Sequence, residues 1–314
     1  MPEWLIERGI GEIRYALIED NEIVEARVLL DGVVPAGTGL RAALKTAGRP
    51  AVAAVGENEF LLPDGAGAFT EGQVMTIEVT REAIAGAEPW KRPLAKVVDS
   101  QWRSATLPEG VEVAFPSPDD RLERAGWSDL IEEARSGTVQ FDGGTLRFSA
   151  TPAMTLIDVD GTMPPADLAR AGALAAVRTI LRHGVGGSIG IDLPTLSGKS
   201  ARKAVDDAID QALPKPFERT AMNGFGFVQV VRPRRHASLF ELAQDRAPFE
   251  ARALLRRAAF EAPGPKAMVA HPAVIGVLDT HGEWMGALAR QLGGEIGLRA
   301  DPALPMSGGY AEAR

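Results

Sequence analysis

Three aspartates lie near the ends of two apolar segments in the middle of the chain. Residues 154–161 read MTLIDVDG and contain Asp158 and Asp160, and residues 187–193 read GSIGIDL and contain Asp192. Both segments are typical of buried β-strands. Carboxylate oxygens are the ligands that hard divalent cations prefer. The sequence therefore predicts a Mg²⁺ site, which Mn²⁺ would also fit, with Asp158 and Asp192 as ligands.

The residues between these segments predict a helix. Pro164 and Pro165 suit a first helical turn, and Gly184 suits a left-handed stop. Apolar side chains recur between them at helical spacing. A strand, a crossover helix and a parallel strand form a right-handed unit, and ligands bind at the carboxyl ends of such strands. We therefore expect Asp158 and Asp192 to be close neighbours.

Asp160 follows Asp158 by two residues, so both side chains face the same side of the strand. Asp160 is a third candidate catalytic residue, either as a further ligand or as a group that orients a metal-bound water. Ionised carboxylates brought close together raise each other's pKa unless a cation offsets the repulsion. The alternative is structural, because aspartates at strand ends often cap the following turn.

Basic residues near the predicted strands are candidates for binding phosphate. Lys199 would open the helix that follows the Asp192 strand, and Arg232, Arg234 and Arg235 form the densest basic cluster. Arginine suits bidentate phosphate contacts, although a solvated loop is the alternative for this cluster. Phe60 is a candidate for stacking on a base, with burial as its alternative.

Composition limits the classes of protein and site. The chain has 314 residues, a formal charge of −8 and no cysteine, so disulfides, cysteine-ligated zinc and thiol nucleophiles are excluded. The four histidines are scattered without metal-ligand spacing. No signal peptide and no membrane-spanning segment is visible in the sequence, so we expect a cytoplasmic protein without a membrane partner.

The order of predicted elements indicates an α+β fold. Residues 1–35 predict a β-hairpin, and residues 36–98 predict short strands separated by glycine-rich turns, which favour a small barrel. Residues 99–135 predict a proline-rich linker with a short helix whose N-cap is Ser128. Residues 136–314 predict an α/β domain that contains the aspartates.

Several short motifs resemble the catalytic core of the ribonuclease E/G family. They are Gly143-Gly144, Leu156-Ile157-Asp158-Val159-Asp160, Gly186-Gly187, Ile191-Asp192, Asn223-Gly224-Phe225-Gly226, Arg232-Pro233-Arg234 and, in the tail, Arg299-Ala300-Asp301-Pro302 with Tyr310. The resemblance covers about residues 128–312, and a weaker one covers the N-terminal hairpin and the predicted barrel.

The resemblance implies a Mg²⁺-dependent endoribonuclease that cleaves single-stranded RNA and leaves a 5′-phosphate and a 3′-hydroxyl. Asp158 and Asp192 would hold the metal, which activates a water for attack on the phosphodiester. The family's architecture implies an RNase H-like segment over 1–35, an OB-fold (S1-like) RNA-binding barrel over 36–98, and a DNase I-like catalytic domain over 136–314.

The chain departs from the family pattern at several places. Asp160 replaces the usual asparagine, Gly224 replaces the usual arginine, and the segment after the barrel is too short for the family's 5′-end sensor. The zinc-linked tetramer is excluded because the chain has no cysteine, which leaves another kind of homo-oligomer open. Two alternatives to a nuclease stay open: an RNA-binding protein that has lost catalysis, and a metal-dependent phosphodiesterase acting on small molecules.

Overall fold

The computed structural model describes residues 2–84, 91–99 and 107–314 of the chain. The fold is a mixed α+β arrangement with a closed five-stranded barrel and several further sheets with helices. The N-terminal strands are β1 (Glu3–Arg8), β2 (Glu12–Glu19) and β3 (Glu22–Leu30). The predicted hairpin is confirmed as β2 and β3, which pair antiparallel, and β1 extends it on the other edge of β2.

The predicted small barrel is also confirmed. Its strands are β4 (Gly39–Thr46), β5 (Ala51–Val55), β6 (Asn58–Leu62), β7 (Val74–Arg81) and β8 (Leu94–Val97). They close in the order β4-β5-β6-β8-β7 around a small apolar core. The sequence did not predict β4 or β8.

The segment after the barrel contains β9 (Val111–Val113), α1 (Arg121–Arg124) and α2 (Trp127–Ser136). β9 pairs in parallel with β1, so this segment returns the chain to the N-terminal sheet. The predicted N-cap at Ser128 is wrong. Gly126, with a φ of 93°, occupies the cap of α2, because glycine adopts this left-handed conformation without strain.

A six-stranded sheet contains the aspartates. Its elements in chain order are β10 (Thr138–Phe141), β11 (Gly144–Ala150), β12 (Thr155–Gly161), α3 (Pro165–Arg182), β13 (Gly187–Asp192), α4 (Lys199–Ala212), β14 (Glu218–Arg219) and β15 (Phe227–Arg232). The strand order is β10-β11-β12-β13-β15-β14. Side chains of α3 and α4 join the apolar core on one face of this sheet. On the opposite face Leu156 and Val231 are 38% and 47% exposed.

The C-terminal part adds helices and a three-stranded sheet. Its elements are α5 (Leu239–Gln244), α6 (Arg246–Ala258), β16 (Lys266–Ala270), α7 (Pro272–Thr280), α8 (Gly282–Leu292), β17 (Ile296–Ala300), a 3₁₀ turn (Met306–Gly308) and β18 (Tyr310–Ala313). The sequence did not predict β16, α7 or β18. Within the described ranges, no helix combines the length and the apolar character needed to cross a bilayer.

A buried ionic network joins the N-terminal sheet to α6. Arg14, which is fully buried, donates to Glu7 and Glu12 at 2.6 Å each. Arg252 donates from Nε to Glu12 at 3.1 Å, and Arg256 donates from Nε to Glu7 at 3.3 Å. Each of these five side chains belongs to a residue less than 9% exposed. The network therefore places charges from the first strands and from α6, far apart in the sequence, in one buried cluster.

Candidate active site

The pairing of β12 with β13 brings two of the predicted carboxylates together. The strands are parallel, and Asp158 lies directly opposite Asp192. Ile157, Val159 and Ile191 point into the core, so the side chains that alternate with them lie on the open face. The predicted adjacency is therefore confirmed, and its cause is the parallel strand–helix–strand unit. Neighbouring strands lie about 4.8 Å apart.

Arg147 lies among these carboxylates and was missed by the sequence reasoning. It sits on β11, opposite Asp158 in the ladder. Its Nη1 donates to Asp160 Oδ2 at 2.6 Å and lies 3.9 Å from Asp158 Oδ2. The side chains of all three residues are more than half exposed. The register of β11 with β12 places it there, and the apolar pattern of the sequence does not specify that register.

The negative charge of the three carboxylates exceeds the positive charge that Arg147 supplies. Burial raises the pKa of Asp158, and the negative charges of Asp160 and Asp192 raise it further, while Arg147 opposes the shift. A site that disfavours the ionised carboxylate in this way gains stability from an added cation. The electrostatics of the face therefore fit a divalent ion.

Asp158 and Asp192 provide a small set of oxygen donors for such an ion. In the part of the chain that the structure describes, no group of three or more histidine and carboxylate side chains is arranged as a metal cage. Mg²⁺ commonly takes one or two carboxylates and completes its shell with water and phosphate oxygens. Asp158 and Asp192 match that smaller set, and Asp160 is already held by Arg147.

A tight loop presents an aromatic ring at the same end of the sheet. The loop enters β15 at Phe227, which lies opposite Asp192. Asn223 Oδ1 accepts hydrogen bonds from the backbone N–H of Phe225 at 2.8 Å and of Phe227 at 3.1 Å. Thr195 Oγ1 donates to the Phe225 carbonyl at 3.1 Å. The loop is therefore fixed at both sides of Phe225, whose side chain belongs to a residue 84% exposed.

Phe225 is a second site residue that the sequence reasoning did not single out. Gly226, with a φ of 97°, turns the chain so closely that a Cβ there would lie 2.1 Å from the Leu193 carbonyl oxygen. That approach requires glycine. The Asn-Gly-Phe-Gly segment therefore carried a turn signal, which could have predicted a rigid loop with an exposed ring.

Lys199 occupies the place that the sequence predicts. It is the first residue of α4, seven residues after Asp192, and it is exposed. It forms no ion pair with any residue in the described ranges. Its ammonium group is therefore free to contact an anion near the carboxylate edge.

The arginine cluster lies elsewhere than expected. β15 runs antiparallel to β13, so Arg232 lies opposite Gly187 rather than beside Asp192. Five residues of strand separate the two positions, which is about 16 Å. Arg232 donates to the Val185 carbonyl at 3.0 Å, and Arg234 is paired with Glu241. The cluster therefore lies at the other end of β15 from Asp192, and its predicted phosphate contacts stay a prediction.

Two other predicted RNA contacts have different outcomes. The side chain of Arg235 is exposed, although it lies with the rest of the cluster at the far end of the sheet. Phe60 is 1% exposed and belongs to the barrel core with Leu62 and Ile77. Its ring is therefore not accessible to a base, and burial, the alternative stated for it, is what the structure shows.

The described residues define a mixed α+β protein with a closed barrel and an open sheet face that carries three carboxylates and an arginine. No protein-family model matches the chain, and no curated protein matches it either. Function is therefore inferred from the chemistry of this face.

Proposed function

We propose that the protein is a Mg²⁺-dependent endoribonuclease of the ribonuclease E/G type, acting on single-stranded RNA. The observation that carries the proposal is the lateral pairing of Asp158 with Asp192 on an open sheet face. The proposal includes the finer fold assignment: an RNase H-like N-terminal hairpin, an OB-like barrel and a DNase I-like catalytic sheet.

Each site residue has a role in this reaction. Asp158 and Asp192 hold the divalent ion. When bound, that ion lowers the pKa of a water and offsets the charge that develops on the phosphate. Water attacks phosphorus and the bond to the 3′-oxygen breaks. The proton that the water gives up is balanced by the one that the departing 3′-oxygen takes, so the products are a 5′-phosphate and a 3′-hydroxyl. Asp160, fixed by Arg147, orients the attacking water through its remaining oxygen lone pairs.

The substrate class follows from the surroundings of the carboxylates. An exposed phenylalanine on a rigid loop provides a face on which an unpaired base can stack, and a duplex does not offer such a base. Phe225 therefore favours single-stranded RNA. Lys199 contacts a neighbouring phosphate, and Arg147 reduces the repulsion between the substrate and the carboxylates.

A specific observation favours a second candidate, an RNA-binding protein without cleavage. The guanidinium of Arg147 already bridges towards Asp158 and Asp160. A permanent cation at this place competes with a divalent ion for the same carboxylates. In this reading the loop and Lys199 retain RNA while the phosphodiester stays intact.

The test is incubation of labelled single-stranded RNA with Mg²⁺, with and without a chelator. Cleavage by the wild-type protein should require the metal and should leave 5′-phosphate ends. Asp192→Asn should lower the rate at least about 10–100-fold, the range seen when even a supporting group of a metal ligand is lost. Asp207→Asn is the matched control, since Asp207 is an exposed carboxylate on α4 paired with Lys203.

The outcomes separate the candidates. RNA that binds but stays intact with Mg²⁺ or Mn²⁺ supports the binding protein. Hydrolysis of a small phosphodiester such as bis(p-nitrophenyl) phosphate, with neither binding nor cleavage of RNA, supports the small-molecule phosphodiesterase instead. Equal cleavage rates for Asp192→Asn and Asp207→Asn would refute the proposed metal site.

A further inference from the structure

A cavity of about 340 Å³ lies between the N-terminal sheet and the helices α2, α5 and α6. Its apolar wall includes Val28 of β3, Trp127 of α2, Leu242 of α5 and Phe249 of α6. Each of these four residues is less than 9% exposed. Ligand sites for small molecules have this size and this apolar character, together with a few placed polar groups.

Arg252 supplies one such polar group. The residue is 6% exposed, lines the cavity and donates from Nε to Glu12 Oε2 at 3.1 Å. Its two terminal nitrogens donate no hydrogen bond to any residue of 2–84, 91–99 or 107–314, and neither is sealed from solvent. A buried guanidinium normally has all its donors satisfied, so these nitrogens have capacity for a ligand.

Arg257 adds a second guanidinium at the same cavity. Its Nη2 donates to the Gly309 carbonyl at 3.1 Å, and it forms no ion pair within the described chain. Burial lowers the pKa of Arg257 and of Arg252 below the ordinary value for arginine. The attraction of nearby carboxylates therefore does not offset fully what each guanidinium loses when it is withdrawn from water.

Other charged side chains that line the cavity do not neutralise Arg252 and Arg257 either. Arg135 is held by Glu250 at 2.6 and 2.9 Å. Glu12 is shared with Arg14, which donates to it at 2.6 Å. Asp129 and Glu132 also line the cavity, but both side chains belong to exposed residues. The cavity consequently offers one buried guanidinium, that of Arg252, and one from the exposed residue Arg257, beside an aromatic wall.

We propose that this cavity binds a small aromatic anion, with a phosphate or carboxylate group that accepts hydrogen bonds from Arg252 and Arg257. The ring of the ligand packs against Trp127 and Phe249. Planar forks of arginine donors match both oxyanions, and a ring gains free energy from the apolar wall. The site is independent of the proposed nuclease activity, because it uses none of the residues of the carboxylate face.

The probes are phenyl phosphate and benzoate. Two control compounds each carry one part of phenyl phosphate: inorganic phosphate has the oxyanion without the ring, and phenol has the ring without the oxyanion. Binding is followed by titration calorimetry and by tryptophan fluorescence, since Trp127 lines the cavity. At least one of the two aromatic anions should bind, and which one binds better identifies the oxyanion. Inorganic phosphate and phenol should each bind at least about tenfold more weakly, because each lacks one group of contacts.

Two variants locate the binding. Ala253→Leu places a larger side chain in the cavity without touching an ion pair and should abolish binding. Arg257→Gln removes one charged donor from an exposed residue and should weaken binding about tenfold while the protein stays folded. If Ala253→Leu does not fold, Arg257→Gln alone still tests the proposal.

The proposal is overturned by any of three results. Neither aromatic anion binds the folded wild-type protein, or the folded variants bind the better probe as tightly as the wild type does, or inorganic phosphate or phenol binds as tightly as the better of the two aromatic anions. RNA cleavage is measured in parallel. Its absence would count against the proposed nuclease function and would leave the anion site unaffected.

Discussion

Replacing Asp158 by asparagine should stabilise the fold while removing a ligand of the proposed metal. The two effects have the same cause. The carboxylate of Asp158 lies between the negative charges of Asp160 and Asp192, and its pKa is raised by burial and by those two neighbours. Asparagine has nearly the same shape and no charge, so the substitution relieves the repulsion without creating a cavity. Active sites commonly trade stability for function in this way.

The size of the electrostatic repulsion at Asp158 follows from the distances to its charged neighbours. Because the side chain is 53% exposed, the dielectric constant of water is the appropriate choice. Asp192, about 4.8 Å away across the ladder, then repels Asp158 by about 0.9 kcal/mol. Asp160, about 6.7 Å along the strand, repels it by about 0.6 kcal/mol. Arg147 at 3.9 Å attracts it by about 1 kcal/mol.

The net repulsion is therefore about 0.5 kcal/mol, to which relief of the burial of the charge adds. We expect Asp158→Asn to raise the melting temperature by about 1 °C or more at pH 7, in low salt and with a chelator present. A divalent ion should raise the melting temperature of the wild type but not that of the variant.

The dependence on pH has a definite sign. The folded-state pKa of Asp158 lies above the unfolded value of about 3.9. Below the unfolded pKa the side chain is neutral in both states, so its repulsion vanishes. The penalty in the wild type develops as the pH rises through the unfolded pKa and is complete above the folded pKa. The advantage of the variant should therefore be present at pH 7 and fade towards pH 4.

The assay is thermal melting of Asp158→Asn against wild type at pH 4 and pH 7, and in low salt and 1 M salt. Screening should remove most of the gain at 1 M, where the Debye length is about 3 Å. Asp207→Asn should show no gain, since it removes the partner of Lys203. A variant that is less stable than wild type in chelator, or a gain that persists at pH 4, would refute the reasoning.

Four further predictions concern the loop and the buried network. Phe225→Ala should weaken binding of single-stranded RNA by about 1–3 kcal/mol in a filter-binding assay, with an unchanged melting temperature, because the ring is 84% exposed. Gly226→Ala should displace the loop and lower cleavage by up to about 100-fold. Gly224→Arg, where a Cβ meets nothing within 4 Å, should be tolerated and tighten RNA binding at low salt. Arg14→Met should lower the free energy of unfolding in urea by about 3–5 kcal/mol, since Glu7 and Glu12 would lose a buried partner.

The predictions for Phe225→Ala and Arg14→Met each have a matched control. Val231→Ala removes an apolar side chain that is 47% exposed on the same sheet face but opposite Ser188, so it should not change RNA affinity as Phe225→Ala does. Arg124→Ala breaks an exposed pair with Asp119 and should change stability by less than about 1 kcal/mol. Equal effects of Arg14→Met and Arg124→Ala would show that the buried network does not stabilise the fold.

The part of the site that the sequence predicted depends on local rules. Apolar segments ending in aspartate, a helix between them and the right-handed crossover were enough to place Asp158 beside Asp192. The barrel and the N-terminal hairpin were also predicted, because alternating segments separated by turn residues need no knowledge of the rest of the fold.

The part that was missed depends on the register and the direction in which the strands of the sheet pair. Arg147 enters the site only through the register of β11 with β12, and Arg232 leaves it because β15 runs antiparallel to β13. The apolar pattern of a strand does not indicate its direction, because the pattern is the same in a parallel and in an antiparallel strand. Phe60 was ambiguous for a related reason, since an aromatic residue in a short strand faces either the core or solvent.

The buried charges of Glu7, Glu12, Arg252 and Arg256 limit how the molecule can be dissected. The sequence suggests a cut near residue 135, between the linker and the domain that carries the aspartates. A fragment that starts there would keep the two arginines of α6 and lose the carboxylates that face them. Arg256 would lose Glu7 and Asp120, and Arg252 would lose Glu12 and keep only the attraction of Asp245. The first strands of the chain are thus a structural requirement for its last third, and the carboxylate sheet is not a separable module.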